Sequence, residues 1–219
     1  MIAMSDFIAA VQSGNIAEVR NHLSADRALA SAKDGGGVSA IMHALYRRQH
    51  EIAALLVEAK PDLDIFEATA AGKFDRVSAI LRSDPAAAQR RSADGFTPLH
   101  FAGFFNRPEI ASALIANGAD ISAVAANAMK VAPLHSAATS RSHEVVRQLL
   151  AADAPVNARQ HGGWTALHAA AANGDIEMIR DLLAHGADIK AANDEGKTAN
   201  DLAQAKGYAD VMKLLQVPA

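Results

Sequence analysis

Apolar side chains recur along this chain at helical spacing, in short stretches that polar residues and glycine interrupt. Ile52, Leu55 and Leu56 fall at i, i+3 and i+4, as do Val77, Ile80 and Leu81. Ile176, Ile179, Leu182 and Leu183 repeat the stripe and run into His185-Gly186-Ala187-Asp188. Ile110, Leu114 and Ile115 do the same before Asn117-Gly118-Ala119-Asp120. Ahead of each stripe lies a shorter stretch that opens near a small polar residue, such as Thr97-Pro98-Leu99-His100 followed by Ala102. The pattern predicts pairs of helices, each pair closed by a glycine-marked stop and a turn.

The pairs are periodic. Thr97-Pro98-Leu99-His100 is echoed at Ala132-Pro133-Leu134-His135 and at Thr165-Ala166-Leu167-His168, so the histidines recur at nearly equal intervals. A period of roughly 33 residues means that one supersecondary unit is being stacked. Weaker copies place Ile8, Met42, Phe66 and Asp201 at the same position, and the intervals stay nearly constant except between Met42 and Phe66. Seven units then account for the chain, at approximately residues 1–34, 35–60, 61–92, 93–125, 126–159, 160–192 and 193–219. A unit this thin cannot bury its apolar faces alone and depends on its neighbours. The first helix lacks the repeated phrase and carries Asp6 and Gln12, and the last unit replaces it with Thr198-Ala199-Asn200-Asp201. Both ends read as polar caps.

These phrases resemble the ankyrin repeat family, whose unit is a turn, a TPLHxA helix, a second helix ending in LLxxGAD, and a loop. The resemblance implies an all-α solenoid of helix-turn-helix units joined by short finger loops, forming a single domain over residues 1–219. Local chemistry agrees. Thr97 suits a helix cap and Pro98 the first turn, where a missing backbone donor costs nothing. Leu99 is expected to point into the stack, with Ala102 small where the paired helices press together. Gly118 and Gly186, with Lys60 at the same place, mark where second helices stop, at a left-handed cap that suits glycine and not lysine. Asp94-Gly95 and Gly162-Gly163 supply turns.

The interval after Met42 is about ten residues short of the period. Between Met42 and Phe66 the turn or finger is replaced by Lys60-Pro61-Asp62. Ile8 and Phe66, Gly14 and Gly72, Asp26 and Asp84, and Met42 and His100 all share one offset along the chain. Unit three therefore reads as a second copy of the N-terminal cap set inside the array. A finger is expected to be missing between units two and three, with a bend in the stack there.

Composition narrows the chemistry. Alanine occupies 51 of the 219 positions, which suits closely packed thin helices. The chain has no cysteine, which excludes disulfides and thiolate metal sites. A net charge of −3 gives no general attraction to nucleic acid or anionic membrane. No apolar run reaches the roughly 18 residues of a membrane span, and the N-terminus does not read as a signal peptide. A cytoplasmic monomer is expected, with no cofactor.

Nine histidines invite a metal reading, but His100, His135 and His168 lie along the stack, whereas ligands must converge. The resemblance makes them fasteners that bond to loop backbone. Gly196-Lys197-Thr198 mimics the end of a phosphate loop, yet Ala191 stands where that motif needs glycine. No serine, histidine and carboxylate set suggests a nucleophile with its base, so the expected protein is not an enzyme.

In the family, partners lie on the concave face made by finger tips and first helices. Carried over by position, that face takes Phe96, Val131 and Trp164 from the fingers, with Lys197 at the same place in the last unit. The exposed ends of the first helices add Tyr46 and Arg47, Phe104 and Phe105, Thr139, and Asn173. The expected function is that of an adaptor holding a protein partner there. The alternative is a regulatory or inhibitory subunit with a small-ligand or anion pocket near the finger loops, built on Arg47 and Arg91.

Overall fold

A computed structural model describes residues 4–216. Among them fourteen helices follow one another in seven pairs. They are α1 (Met4–Ser13) and α2 (Ile16–Ala25), α3 (Ala40–Tyr46) and α4 (His50–Ala59), and α5 (Ile65–Ala70) and α6 (Phe74–Ser83). Next come α7 (Pro98–Phe104) and α8 (Pro108–Ala116), α9 (Pro133–Thr139) and α10 (His143–Ala151), α11 (Ala166–Ala172) and α12 (Ile176–Ala184), and α13 (Ala199–Lys206) and α14 (Ala209–Leu214). First helices pack in one row and second helices in another. Leu99, Leu134 and Leu167 fill the interior at one repeat position. Ala102, Ala137 and Ala170, all inaccessible to water, let the paired helices approach.

Five fingers join the pairs, and each closes with the same hairpin bond. Asp34 N donates to Val38 O, Ser92 N to Phe96 O, Ala125 N to Val131 O, Gln160 N to Trp164 O, and Asn193 N to Lys197 O, all at 2.8–2.9 Å. Lys60–Asp64 joins α4 directly to α5 and forms no such hairpin. The expected gap in the row of fingers is there, but the neighbouring fingers close over it. A Cβ placed on Gly37, in the finger before the gap, would lie 3.0 Å from Ala93 Cβ in the finger after it. On the other side the stack opens. α2 packs on α4 and α6 packs on α8, whereas α4 and α6 stand apart. Pinching on one side and parting on the other is the geometry of a bend.

The offset seen in the sequence holds for whole elements. It carries α2 onto α6, a 3₁₀ turn at Arg27–Ser31 onto another at Pro85–Gln89, and α3 onto α7, with the same bounds. Two sequence expectations need correction at the joint. Lys60 has φ −117°, extended and not left-handed, because the chain leaves α4 straight toward α5 with no finger to turn into. Gly118 and Gly186 do take the left-handed cap, at φ +78° and +84°. The second correction concerns Phe66. α5 is one residue shorter at its start than α3 or α7, and Asp64 caps it. The residue three after the cap, which is His100 in α7, is Glu67 here and not Phe66.

Glu67 is 1% exposed and takes over the fastening role. Its carboxylate accepts from Asp64 N at 3.1 Å and from Lys60 Nζ at 2.8 and 3.0 Å. The Lys60 side chain is itself only 10% exposed. Two charges are therefore buried together at the one joint that lacks a finger. Each makes the other tolerable, since an isolated charge at that depth is strongly unfavourable.

Candidate functional site

Short first helices end in side chains that face away from the second-helix row, and near the joint these are aromatic. Tyr46 is the last residue of α3, Phe104 the last of α7, and Phe105 its C-cap. The residue at the matching place in α5 is Ala70. So small a residue in the intervening unit lets rings two units apart meet. Tyr46 and Phe104 lie 6.2 Å apart edge-on, Tyr46 and Phe105 stack at 5.9 Å, and Phe104 and Phe105 pack edge to face at 5.0 Å. Phe101 sits beneath, buried, at 6.0 Å from Phe66 and 5.8 Å from Phe96. Buried Met42 and Ala70 complete a small apolar cluster separate from the main core. Offset and edge-on pairs of this kind are the preferred aromatic arrangements.

Tyr46 is anchored rather than loose. Its hydroxyl donates to Asp94 Oδ2 at 2.6 Å, tying α3 to the finger beyond the gap. Burial first, and then the Asp94 carboxylate, push the hydroxyl's pKa upward, so it remains a donor. Phe104 is 43% exposed, and Phe105 is half-buried beside it. The result is a packed aromatic surface on which Phe104 is the ring most open to water.

The remaining expected partner residues divide. Phe96 and Trp164 lie over the imidazoles of His100 and His168 at 5.6 and 5.8 Å and are half-buried in matching ways. Arg47 and Thr139 are exposed. Val131 is 6% exposed and does not belong to an accessible face. Its finger folds inward there, and its carbonyl accepts from His100 Nε2. Asn173 is half-buried, with its amide directed at the carbonyls of Ala138 and Thr139 at 3.5 and 3.4 Å, and its own carbonyl accepts from Arg141. It ties units together. The proposed anion residues do not converge. Arg91 donates to Gly95 O and Val124 O, and the cavity of about 200 Å³ between the flanking fingers includes Arg91 and Lys33 but not Arg47.

The three histidines carry out one job. Thr97 N donates to His100 Nδ1 at 3.2 Å, which leaves the proton on Nε2 to reach Val131 O at 2.8 Å. His135 does the same between Ala132 N and Ala158 O, and His168 between Thr165 N and Lys197 O. Each joins its own helix start to the next finger. Burial is the main cause that lowers all three pKa values, that of His100 to about 4. In the last unit Asp201 caps the helix, accepting from Thr198 N and Oγ1.

Another opening lies between α4 and α6, where a cleft of about 830 Å³ runs from Leu45 and His50 to Arg76 and Arg107. Nothing in the sequence pattern signalled it, because it depends on where the second helices go after the short connection. Among the described residues no cluster of three or more histidine and acidic side chains could hold a metal ion, and no helix is long and apolar enough to cross a membrane.

Comparison with known proteins adds a family. The model described as ankyrin repeats matches in three overlapping copies, over residues 7–125, 65–160 and 134–217. A search among curated proteins finds no match.

Proposed function

The chain belongs to the ankyrin-repeat family, and we propose that it is a non-catalytic, cytoplasmic adaptor whose first-helix and finger face captures one protein partner. Ankyrin repeats in general are protein-interaction modules, and the finer reading rests on one observation. Tyr46, Phe104 and Phe105 form a single aromatic surface across three units, held from below by Phe101 and from the side by Asp94. Preformed aromatic surfaces suit binding because little side-chain freedom is left to lose on contact. Phe96 flanks the surface, with Arg47 exposed on the same unit as Tyr46. Trp164 marks a second contact further along the fingers.

The test begins with capture from a native extract and identification by mass spectrometry. The dissociation constant is then measured for Phe104→Ala and Phe105→Ala. Loss of an interface anchor costs about 2 kcal/mol, roughly thirtyfold in Kd. Trp164→Ala should weaken capture less. If Phe104→Ala and Phe105→Ala both bind with unchanged Kd, the aromatic face is not where the partner sits.

A further inference from the structure

The short connection that closes the fingers also opens the second-helix side, and the opening has its own chemistry. Ala53, Val57 and Leu63 give the cleft between α4 and α6 an apolar floor, and Phe74 stands 41% exposed at its mouth. On α4 the lining positions 50, 53, 54, 57 and 58 form one helical stripe, the stripe that would meet the next second helix in a regular stack. Here α6 has moved away from it.

Of the four lysine and arginine side chains on the wall, Lys60 is paired with Glu67, and the other three lack acidic partners among the described residues. Arg76 Nε donates to Leu63 O at 2.8 Å, and Arg107 donates through Nε and Nη2 to Ala70 O at 3.2 and 2.9 Å. Both guanidiniums are thus held in place by neutral carbonyls, with N–H groups to spare. Neither they nor Lys73 form an ion pair among the described residues, although Glu58 and Asp75 also line the cleft. Burial lowers the pKa of Arg107, as for a charge drawn partly out of water.

Shape decides between a small ligand and a polypeptide. The cleft continues past Gly72, Phe74 and Arg107 into a second depression of about 300 Å³ at Pro108. Small-molecule sites bury most of their ligand, and a long open groove does not. A groove that runs on through both depressions suits a chain segment.

We propose that the cleft between α4 and α6 is a second docking site, which takes an acidic segment of a partner protein. An apolar side chain of that segment seats against Val57 and Phe74, and its carboxylates meet Arg76, Arg107 and Lys73. The site lies on the second-helix side, so it is independent of the aromatic face and can be filled at the same time. Charge pairing across a groove of this kind sets specificity and association rate more than affinity, and added salt weakens it.

The experiment uses the ¹⁵N-labelled full chain and a short acetylated peptide with a Leu-Phe pair between runs of glutamate. The expected result is saturable movement of the amide signals of Ala54, Val57 and Phe74, weaker in high salt and absent for a peptide with lysines in place of the glutamates. Phe74→Ala raises Kd about tenfold and Lys73→Glu severalfold. Both replace exposed side chains, so the fold is retained, while Phe104→Ala leaves the peptide's Kd unchanged. The proposal is overturned if the α4 and α6 signals stay still, if the lysine peptide binds equally, or if Phe104→Ala and not Phe74→Ala weakens binding.

Discussion

From α7 onward the molecule is a regular stack, and before it the stack is broken. In the regular part each finger bonds to the next: Ala126 N to Gly95 O, His161 N to Met129 O and Asp194 N to Gly162 O, each at 2.9 Å. Its second helices are joined by Arg147, which reaches Glu177 and Asp181, and by His143 against Asp175. In the broken part, fingers two units apart touch at Gly37 and Ala93, the second helices separate, and a buried ion pair makes the joint. The helices themselves are alike, since one common shift along the chain superposes the bounds of α3 on those of α7 and of α2 on those of α6. Connector length is what differs. Removing about ten residues from one loop changes both surfaces at once, gathering aromatics on one side and opening a cleft on the other.

If the Lys60–Glu67 pair replaces a finger, breaking it should have the largest effect. Lys60→Met leaves the Glu67 carboxylate buried and opposed only by the Asp64 amide. Removing one partner of a buried pair costs about 3–5 kcal/mol. Adding Glu67→Gln keeps an acceptor for Asp64 N and removes the charge, so the double variant should regain most of the loss. Urea unfolding of the four proteins of this cycle measures the coupling. A single-variant loss below about 1 kcal/mol would mean that the joint is held by packing alone.

Acid should act on the regular part first. His100, His135 and His168 are buried neutral, with pKa values below that of an unfolded histidine. The unfolded chain therefore binds more protons as pH falls below about 6.5, and stability declines until the folded imidazole also titrates. For His100 that window runs down to about 4 and corresponds to about 3 kcal/mol. The finger at Asp34 uses a carboxylate instead. Backbone bonding from Val38, followed by the bond to His43, holds the Asp34 pKa below its ordinary value, so that finger persists through the same window. Hydrogen exchange at pH 4.5 against pH 7 should show protection lost between Thr97 and Lys197 before it is lost at Val38. Equal loss at both would remove the distinction.

Some of this comparison is legible in the sequence, and the rest is hidden for physical reasons. Periodicity located the helix pairs, and the short spacing after Met42 located the break, because chain length between elements is written directly in the sequence. His100, His135 and His168 were legible as fasteners because a family phrase fixes their place. Glu67 is not, since the offset shared with Ile8 puts Phe66 in that slot and only the cap at Asp64 shows that the helix begins one residue late. Val131 looked like Phe96 and Trp164 by position, but its finger is longer and folds it inward. The meeting of Tyr46 with Phe104 depends on Ala70 being small in the unit between.

The smallest predicted effect tests the contact that closes the gap. Gly37 and Gly196 occupy the same place in their fingers, each just before the residue whose carbonyl closes the hairpin, with φ +83° and +75°. Alanine at either position adopts a left-handed backbone at a cost of about 1 kcal/mol. Their surroundings differ. A Cβ at Gly196 meets nothing within 4 Å, whereas one at Gly37 comes 3.0 Å from Ala93 Cβ. Gly37→Ala should therefore lower stability by about 1 kcal/mol more than Gly196→Ala, because overpacked contacts add strain to the common backbone term. Ala93→Gly combined with Gly37→Ala should recover that excess and leave the backbone term in place. Equal losses at the two glycines, read from urea midpoints, would show that the fingers across the gap are not pressed together. The bend would then rest on the Lys60 joint alone.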